Sequence, residues 1–398
     1  MKYASVAFSA LMLFVPLAHG EEPFDGQESS SGDYEQWTSG EDSGGFAEYK
    51  RNQKQAFGDY KEKVRREFRA YKQAHDDAAN EYEGRISEVW EKPLTSSKKR
   101  WVTYEDDYHL RTAIDFGKER VRVSWPADAR SALTRQDVKT KINEILELTS
   151  ADAFEQDEVA QKVETFGREK LSTFETADVD ETPVIEGFLL GSASSDPDVR
   201  KALLTYFMEN AEQSENTQNG QTVASWEFPL KAPEELQPEP KVSEKPESTT
   251  NNSEPETSSQ DVWQTRVIST KMTEALPGRA QGFVEAINSE NAEFKLSAEL
   301  ILALIETESA FNPMAKSHIP AYGLMQIVPD SAGKDATEKV FGKARILSPS
   351  YLYNVDNNIE IGAAYFNILY YRYFDGVEDP RSRLYCAIAA YNTGPGNV

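Results

Sequence analysis

Ser297-Ala-Glu-Leu-Ile-Leu-Ala-Leu-Ile-Glu-Thr-Glu-Ser-Ala-Phe-Asn-Pro313 decides the reading of this chain. Ser297 is a helix-capping residue type and Pro313 a stop signal, so a helix is expected between them. At about 100° per residue, Leu300, Ile301, Leu304 and Ile305 share one face, and Glu308 falls within about 10° of its centre. Glu306 faces the other way. A carboxylate on a buried stripe is costly unless it is paired or held protonated, and a protonated carboxylic acid near neutral pH is what general-acid catalysis requires. The plain alternative is a carboxylate that bends out to solvent at the helix end.

Three further blocks follow in order: Ala321-Tyr322-Gly323-Leu324-Met325-Gln326, then Asn358-Ile359 with Gly362 and Tyr365, then Ala390-Tyr391-Asn392 with Gly394-Pro395-Gly396. With Glu308-Ser309-Ala310-Phe311-Asn312-Pro313 they span about ninety residues. Together they resemble the goose-lysozyme-like lytic transglycosylases of the cell wall. The resemblance implies an all-α, lysozyme-like catalytic domain that cuts the β-1,4 bond between N-acetylmuramic acid and N-acetylglucosamine. It implies Glu308 as the one catalytic carboxylate, acting as acid and then as base, with a 1,6-anhydro sugar end as product.

The supporting positions carry expected roles. Tyr391 would hydrogen-bond Glu308 or the substrate, unless it is a core aromatic with a satisfied hydroxyl. Gly323 would let the backbone approach the sugar, and Met325 and Gln326 would line the cleft, against plain turn and core packing. Ser309 would position Glu308 or the sugar N-acetyl group, or serve only to cap the helix end. Tyr365 and Asn392 complete the substrate-binding set, and Asn358 and Asn392 are not separable as sugar ligands or backbone partners.

The 398-residue chain has a formal net charge of −24, with 39% hydrophobic residues. That charge argues against nonspecific nucleic-acid binding and for a self-repelling protein, while peptidoglycan glycan strands as the partner are what the resemblance implies. The four histidines are scattered and the only cysteine is Cys386, so no zinc spacing exists and no disulfide can form within the chain. Asp356 and Glu360 lie in a stretch that lacks the alternating ligands of a calcium loop, so it reads as a helix start. No metal and no cofactor are expected.

Residues 1–20, with Lys2 before an apolar run, read as a cleavable secretory signal. Glu21-Glu22 follow it where a lipid-bearing cysteine would stand, so a periplasmic protein is expected, associated at most with the cell wall or outer membrane. Residues 21–45 are acidic and rich in Gly and Ser, and disorder is expected there. Phe46 and Tyr49, Phe57 and Tyr60, and Phe68 and Tyr71 recur every eleven residues, with a decayed copy at Ala79 and Tyr82. Eleven residues fit three helical turns almost evenly, so 46–83 is expected to be one straight helix with an aromatic stripe. The stripe would pack on the following domain, on a second copy, or on a docking partner over residues 46–82.

Residues 84–272 read as a small α+β domain. Thr112–Phe116 and Arg120–Trp125 alternate around Gly117-Lys118 as a hairpin, and a helical period runs from Leu133 to Leu148. With Ile86-Ser-Glu-Val-Trp90, this region resembles the N-terminal domain of the membrane-bound lytic murein transglycosylase C family. Residues 229–261 hold six prolines among Glu, Ser, Thr and Asn, a disordered insertion by composition. Trp263 to Thr270 alternates like a strand that would return to the same sheet. The overall expectation is α+β: a long N-terminal helix and a small α+β domain, then an all-α lysozyme-like domain over 273–398. The resemblance implies further helical turns after Val398, so that domain is expected to be C-terminally truncated. Rival readings are a catalytically inactive peptidoglycan-binding or scaffold protein, and a lysozyme-type hydrolase in which water replaces the C6 hydroxyl.

Overall fold

The repeat forms a helix, α1 (Ser43–Val89), that runs along both lobes of the protein. The structure, a computed structural model, describes residues 43–128, 132–185, 189, 197–231, 268–269, 272–273 and 276–398. The signal segment, most of the acidic stretch, most of the proline-rich insertion and most of the Trp263–Thr270 stretch lie outside the described residues; Ile268 and Ser269, which are described, are not in a strand. So does the side chain of Phe46.

The aromatic stripe of α1 is covered unevenly. Tyr49 and Phe57 are 42% and 41% exposed, whereas Phe68 is at 8% and Tyr71 at 0%. Tyr71 packs on Phe174 at 6.2 Å between ring centroids, and His75 meets Tyr322 edge-on at 6.5 Å. The Tyr60 hydroxyl donates to the Ala344 carbonyl at 2.5 Å. Each fully buried ring contributes about 2–3 kcal/mol of apolar burial, so the C-terminal half of the stripe is a fold-stabilising seam.

After α1 come β1 (Arg100–Glu105), β2 (Leu110–Asp115) and β3 (Arg120–Pro126), a meander whose β2–β3 register pairs Asp115 with Arg120. Glu119, at φ 52°, is the left-handed residue that closes this turn. α2 (Arg135–Glu147) starts at a capping box between Thr134 and Asp137, and α3 (Ser150–Glu155) at one between Thr149 and Asp152. α4 (Glu158–Lys170), the two-residue β4 (Phe174–Glu175) and α5 (Pro197–Glu209) lead to β5 (Glu212–Gln218) and β6 (Gln221–Pro229). The antiparallel sheet has the order β1-β2-β3-β6-β5. The core side of β3 and β6 buries Val121, Val123, Trp125, Ala224, Trp226 and Phe228.

The second lobe holds α6 (Gly278–Gln281), α7 (Val284–Phe294), α8 (Ala298–Ser309), α9 (Lys334–Val340), α10 (Pro349–Tyr353), α11 (Val355–Ile368) and α12 (Pro380–Thr393). The stretch from Asn354 is a helix start as read, with the Asn354 side chain accepting from the Asn357 amide. Two π-turns, Pro329–Gly333 and Leu369–Tyr373, adjoin α9 and α11. One correction to the all-α expectation is β7 (Ile346–Leu347), which pairs in parallel with β4 of the first lobe. Glu164 of α4 adds a second tie, accepting from the Ser350 amide at 3.2 Å and its hydroxyl at 2.8 Å. No helix among the described residues is long and apolar enough to cross a membrane.

Candidate active site

Ser297 caps α8 by accepting from the Leu300 amide, and the apolar stripe buries Ile301, Leu304 and Ile305 as its period requires. Glu308 lies on that inner face with 6% exposure. Glu306 is turned outward, its side chain 47% exposed and 3.3 Å from Arg279. The helix ends without glycine: Ala310 and Phe311 stand at φ 52° and 61°, left-handed values that cost about 1–2 kcal/mol each in an L-residue. Phe311 is held in place by stacking on Phe283 at 5.9 Å. The chain thus reverses immediately after Glu308.

The partner of Glu308 comes from the other lobe. Lys98 Nζ sits 2.7 Å from Glu308 Oε2, joining residues 210 positions apart. Asn312, fully buried, donates from Nδ2 to the Lys98 carbonyl at 3.3 Å and accepts from the Met314 amide at 3.1 Å. Sequence reasoning missed Lys98. The one signal for it is the basic run Lys98-Lys99-Arg100 at the start of β1 in a strongly acidic chain.

The remaining positions separate into two groups. Tyr391, expected on Glu308 or substrate, instead donates its hydroxyl to the Met325 carbonyl at 2.8 Å and packs on Tyr365 and Phe366. Burial, and then the Glu308 carboxylate beside it, push this hydroxyl well above the usual phenol range, so it stays a neutral donor. Burial likewise pushes Tyr365, at 5% exposure, up to about 12. Ser309 is bonded to its own helix, its Oγ donating to the Ile305 carbonyl at 3.0 Å.

Gly323 does admit a close approach, but by protein: at φ 75°, a Cβ there would overlap the Asn358 amide and the Leu352 carbonyl. Met325 is fully buried under Gly362 and does not line a cleft in this structure. Its thioether fills the space that the missing Gly362 side chain leaves. Asn358, at 1% exposure, pins the loop by accepting from the Met325 amide at 2.8 Å and donating to the Tyr322 and Leu352 carbonyls at 3.0 and 2.8 Å. Asn392 is exposed on the last turns of α12. Gln326 keeps a polar atom in reserve: Nε2 donates to the Gly323 carbonyl at 3.2 Å, while buried Oε1 has no partner.

Residues 285–398 match the family model of the transglycosylase SLT domain. Glu308, the Gly323 loop, α11 and Tyr391 all lie inside this SLT segment. The chain is 43% identical over 123 residues to membrane-bound lytic murein transglycosylase C of Klebsiella pneumoniae strain 342, covering 31% of this chain and 34% of that protein. The protein of the same name from Haemophilus influenzae strain PittGG is 27% identical over 335 residues, covering 82% of this chain and 75% of that one. The first of these alignments thus spans about a third of the relative's length, and the second includes the sheet lobe.

Among solved structures, lytic transglycosylase Slt of Pseudomonas aeruginosa, in an inactive mutant form, is 32% identical, with a TM-score of 0.24, over 29% of this chain and 18% of that one. The 70 kDa soluble lytic transglycosylase of Escherichia coli is 28% identical, with a TM-score of 0.24, over 32% and 21% of the two chains. The resemblance to lytic transglycosylases read from the four sequence blocks is borne out by the SLT match and by the two transglycosylase C sequences.

Proposed function

We propose that the chain is a peptidoglycan lytic transglycosylase of the cell envelope, with Glu308 as its single acid and base. The observation that carries this reading is the placement of Glu308, a buried carboxylate at the end of α8 within the SLT segment. Its nearest acidic neighbour in sequence, Glu306, is drawn onto Arg279 and so is poorly placed to share the work.

In the proposed reaction, Glu308 gives its proton to the glycosidic oxygen between N-acetylmuramic acid and N-acetylglucosamine as the C1–O bond breaks. The muramic N-acetyl oxygen stabilises the positive charge at C1. Glu308, now a carboxylate, takes the proton of the C6 hydroxyl while O6 bonds to C1, closing the 1,6-anhydro ring. Bonds and protons balance without water or cofactor. Gln326, with its unpartnered buried Oε1, is the loop residue best equipped to meet a sugar hydroxyl or amide. Tyr391 and Asn358 act by holding the Gly323–Gln326 loop, not by touching sugar.

Export to the periplasm through the residue 1–20 signal belongs to the same reading. Burial of Phe68 and Tyr71 against the chain's own lobes favours α1 as an internal strut over self-association through residues 46–82. The deciding experiment is mass spectrometry of the sugar ends released from purified murein sacculi. Anhydro-muramic ends are expected. Reducing ends would support the lysozyme-type hydrolase instead, and binding without release would support an inactive glycan-binding protein.

A further inference from the structure

Lys98 occupies a built position. It lies at the corner of a tight turn in which the Ser97 amide donates to the Arg100 carbonyl at 2.7 Å and the Arg100 amide to the Ser97 carbonyl at 3.2 Å. The next residue is held to the sheet, the Phe116 amide donating to the Lys99 carbonyl at 2.9 Å. From the other lobe, Asn312 grips the Lys98 carbonyl. Main chain is therefore fixed from two sides, and the side chain extends from it to Glu308.

The electrostatics give this contact a purpose. The Glu308 side chain is 8% exposed, and a carboxylate so buried is unfavourable unless a donor or a positive charge meets it. Lys98 is the one hydrogen-bond partner of that carboxylate among the described residues. The other titratable group facing it is Tyr391 of α12, which is neutral and spends its proton on the Met325 carbonyl. The hydrogen-bond partner of Glu308 is thus a residue of the sheet lobe.

We propose that Lys98 is a positioning residue for the reaction, supplied by the N-terminal lobe, which orients Glu308 and stabilises the carboxylate that exists between proton donation and proton recovery. This rests on the transglycosylase reading given above. Glu308 loses its proton to the glycosidic oxygen, stands as a carboxylate bonded to the Lys98 ammonium, and regains a proton from the C6 hydroxyl. Lys98 keeps its own protons throughout, so the pair balances over one turnover. The sheet lobe is then a working part of the catalytic centre.

The test uses the full chain with Lys98→Met and Lys98→Arg. Met removes the charge but keeps the Lys98 carbonyl that Asn312 grips, so matched thermal melting controls for folding. Lys98→Gln, read the same way, replaces Lys98→Met if the latter melts early. Two quantities are read: release of anhydro ends from sacculi against pH, and urea denaturation of Lys98→Met, Glu308→Gln and the double variant. Lys98→Met is expected to lower kcat by about tenfold or more with little change in KM and to move the alkaline limb of the pH profile, while Lys98→Arg keeps both near wild type. In denaturation the two single changes should be non-additive, as for side chains in direct contact. Additive losses overturn the proposal whatever the activity, as does a faster Lys98→Met enzyme, which would make the lysine an obstruction. If the wild-type chain releases no anhydro ends while the cycle is non-additive, the reaction reading fails and the pairing is supported.

Discussion

Lys316, seven residues after the end of α8, forms an ion pair with Asp157 at the start of α4, Nζ to Oδ2 at 2.7 Å and to Oδ1 at 2.8 Å. Asp157 also caps α4 by accepting from the Ala160 amide. Their side chains are only 15% and 7% exposed, so the pair is a buried link between the lobes on the same loop that follows Glu308. Lys316→Met leaves Asp157 charged and unpaired in that interior. The expected cost is about 3–5 kcal/mol, read as a lower denaturation midpoint in urea. A double change to two apolar residues of similar volume should recover much of it.

Glu308→Gln keeps the shape of the side chain but can neither give nor take a proton. Release of anhydro ends should fall by at least about 100-fold with melting temperature little changed. Glu306→Gln, on the outer face, should stay within about twofold of wild type. The reverse pattern in the same assay would remove Glu308 from its assigned role.

Gly323→Ala tests the loop. The added Cβ meets the Asn358 amide and the Leu352 carbonyl at a left-handed backbone position, so strain and collision act together. A loss of about 2 kcal/mol or more is expected in chemical denaturation, with activity falling in step because Gln326 moves with the loop. Gly342→Ala, also at positive φ but with open space around it, should show the backbone cost alone.

A pH-dependent term should come from Glu290 on α7. Burial, and then the charge of Glu360 on α11, push its carboxyl up to about 7. The folded value lies above the unfolded one, so this group contributes stability fully below about pH 4.5, and the contribution is lost as pH rises towards 7. Glu290→Gln should therefore raise the melting temperature at pH 8 and leave it nearly unchanged at pH 4.5. Equal effects at both values would show that Glu290 is not held protonated by the fold.

Along α1, Tyr71→Ala should cost about 3–5 kcal/mol, as large-to-small changes at fully buried aromatic sites do. Phe57→Ala should cost no more than about 1 kcal/mol, since that ring is 41% exposed and lies under the Lys61 ammonium at 4.3 Å. Thermal melting of the two variants separates a strut from a uniformly solvated helix. Similar losses at both sites would mean that the exposed end of the stripe is covered in solution.

The sequence by itself determined what depends on local periodicity and local caps. The inner-face position of Glu308, the outward turn of Glu306, the long helix of the eleven-residue repeat, the hairpin around Gly117-Lys118 and the capped start of α8 all follow from neighbours within a few residues. The motif blocks also carried the family resemblance. Only the tertiary structure decided what depends on distant segments meeting. No local pattern says that Lys98 reaches Glu308, that β6 lies beside β3, or that β7 pairs with β4.

The same reason applies to the Gly323–Gln326 loop. Gly323, Met325 and Tyr391 stand in blocks that mark the site, yet their contacts in the fold come from Asn358, Gly362 and one another, packed from α11 and α12. A residue type limits what a side chain can do, and the long-range path of the chain decides which partner reaches it first.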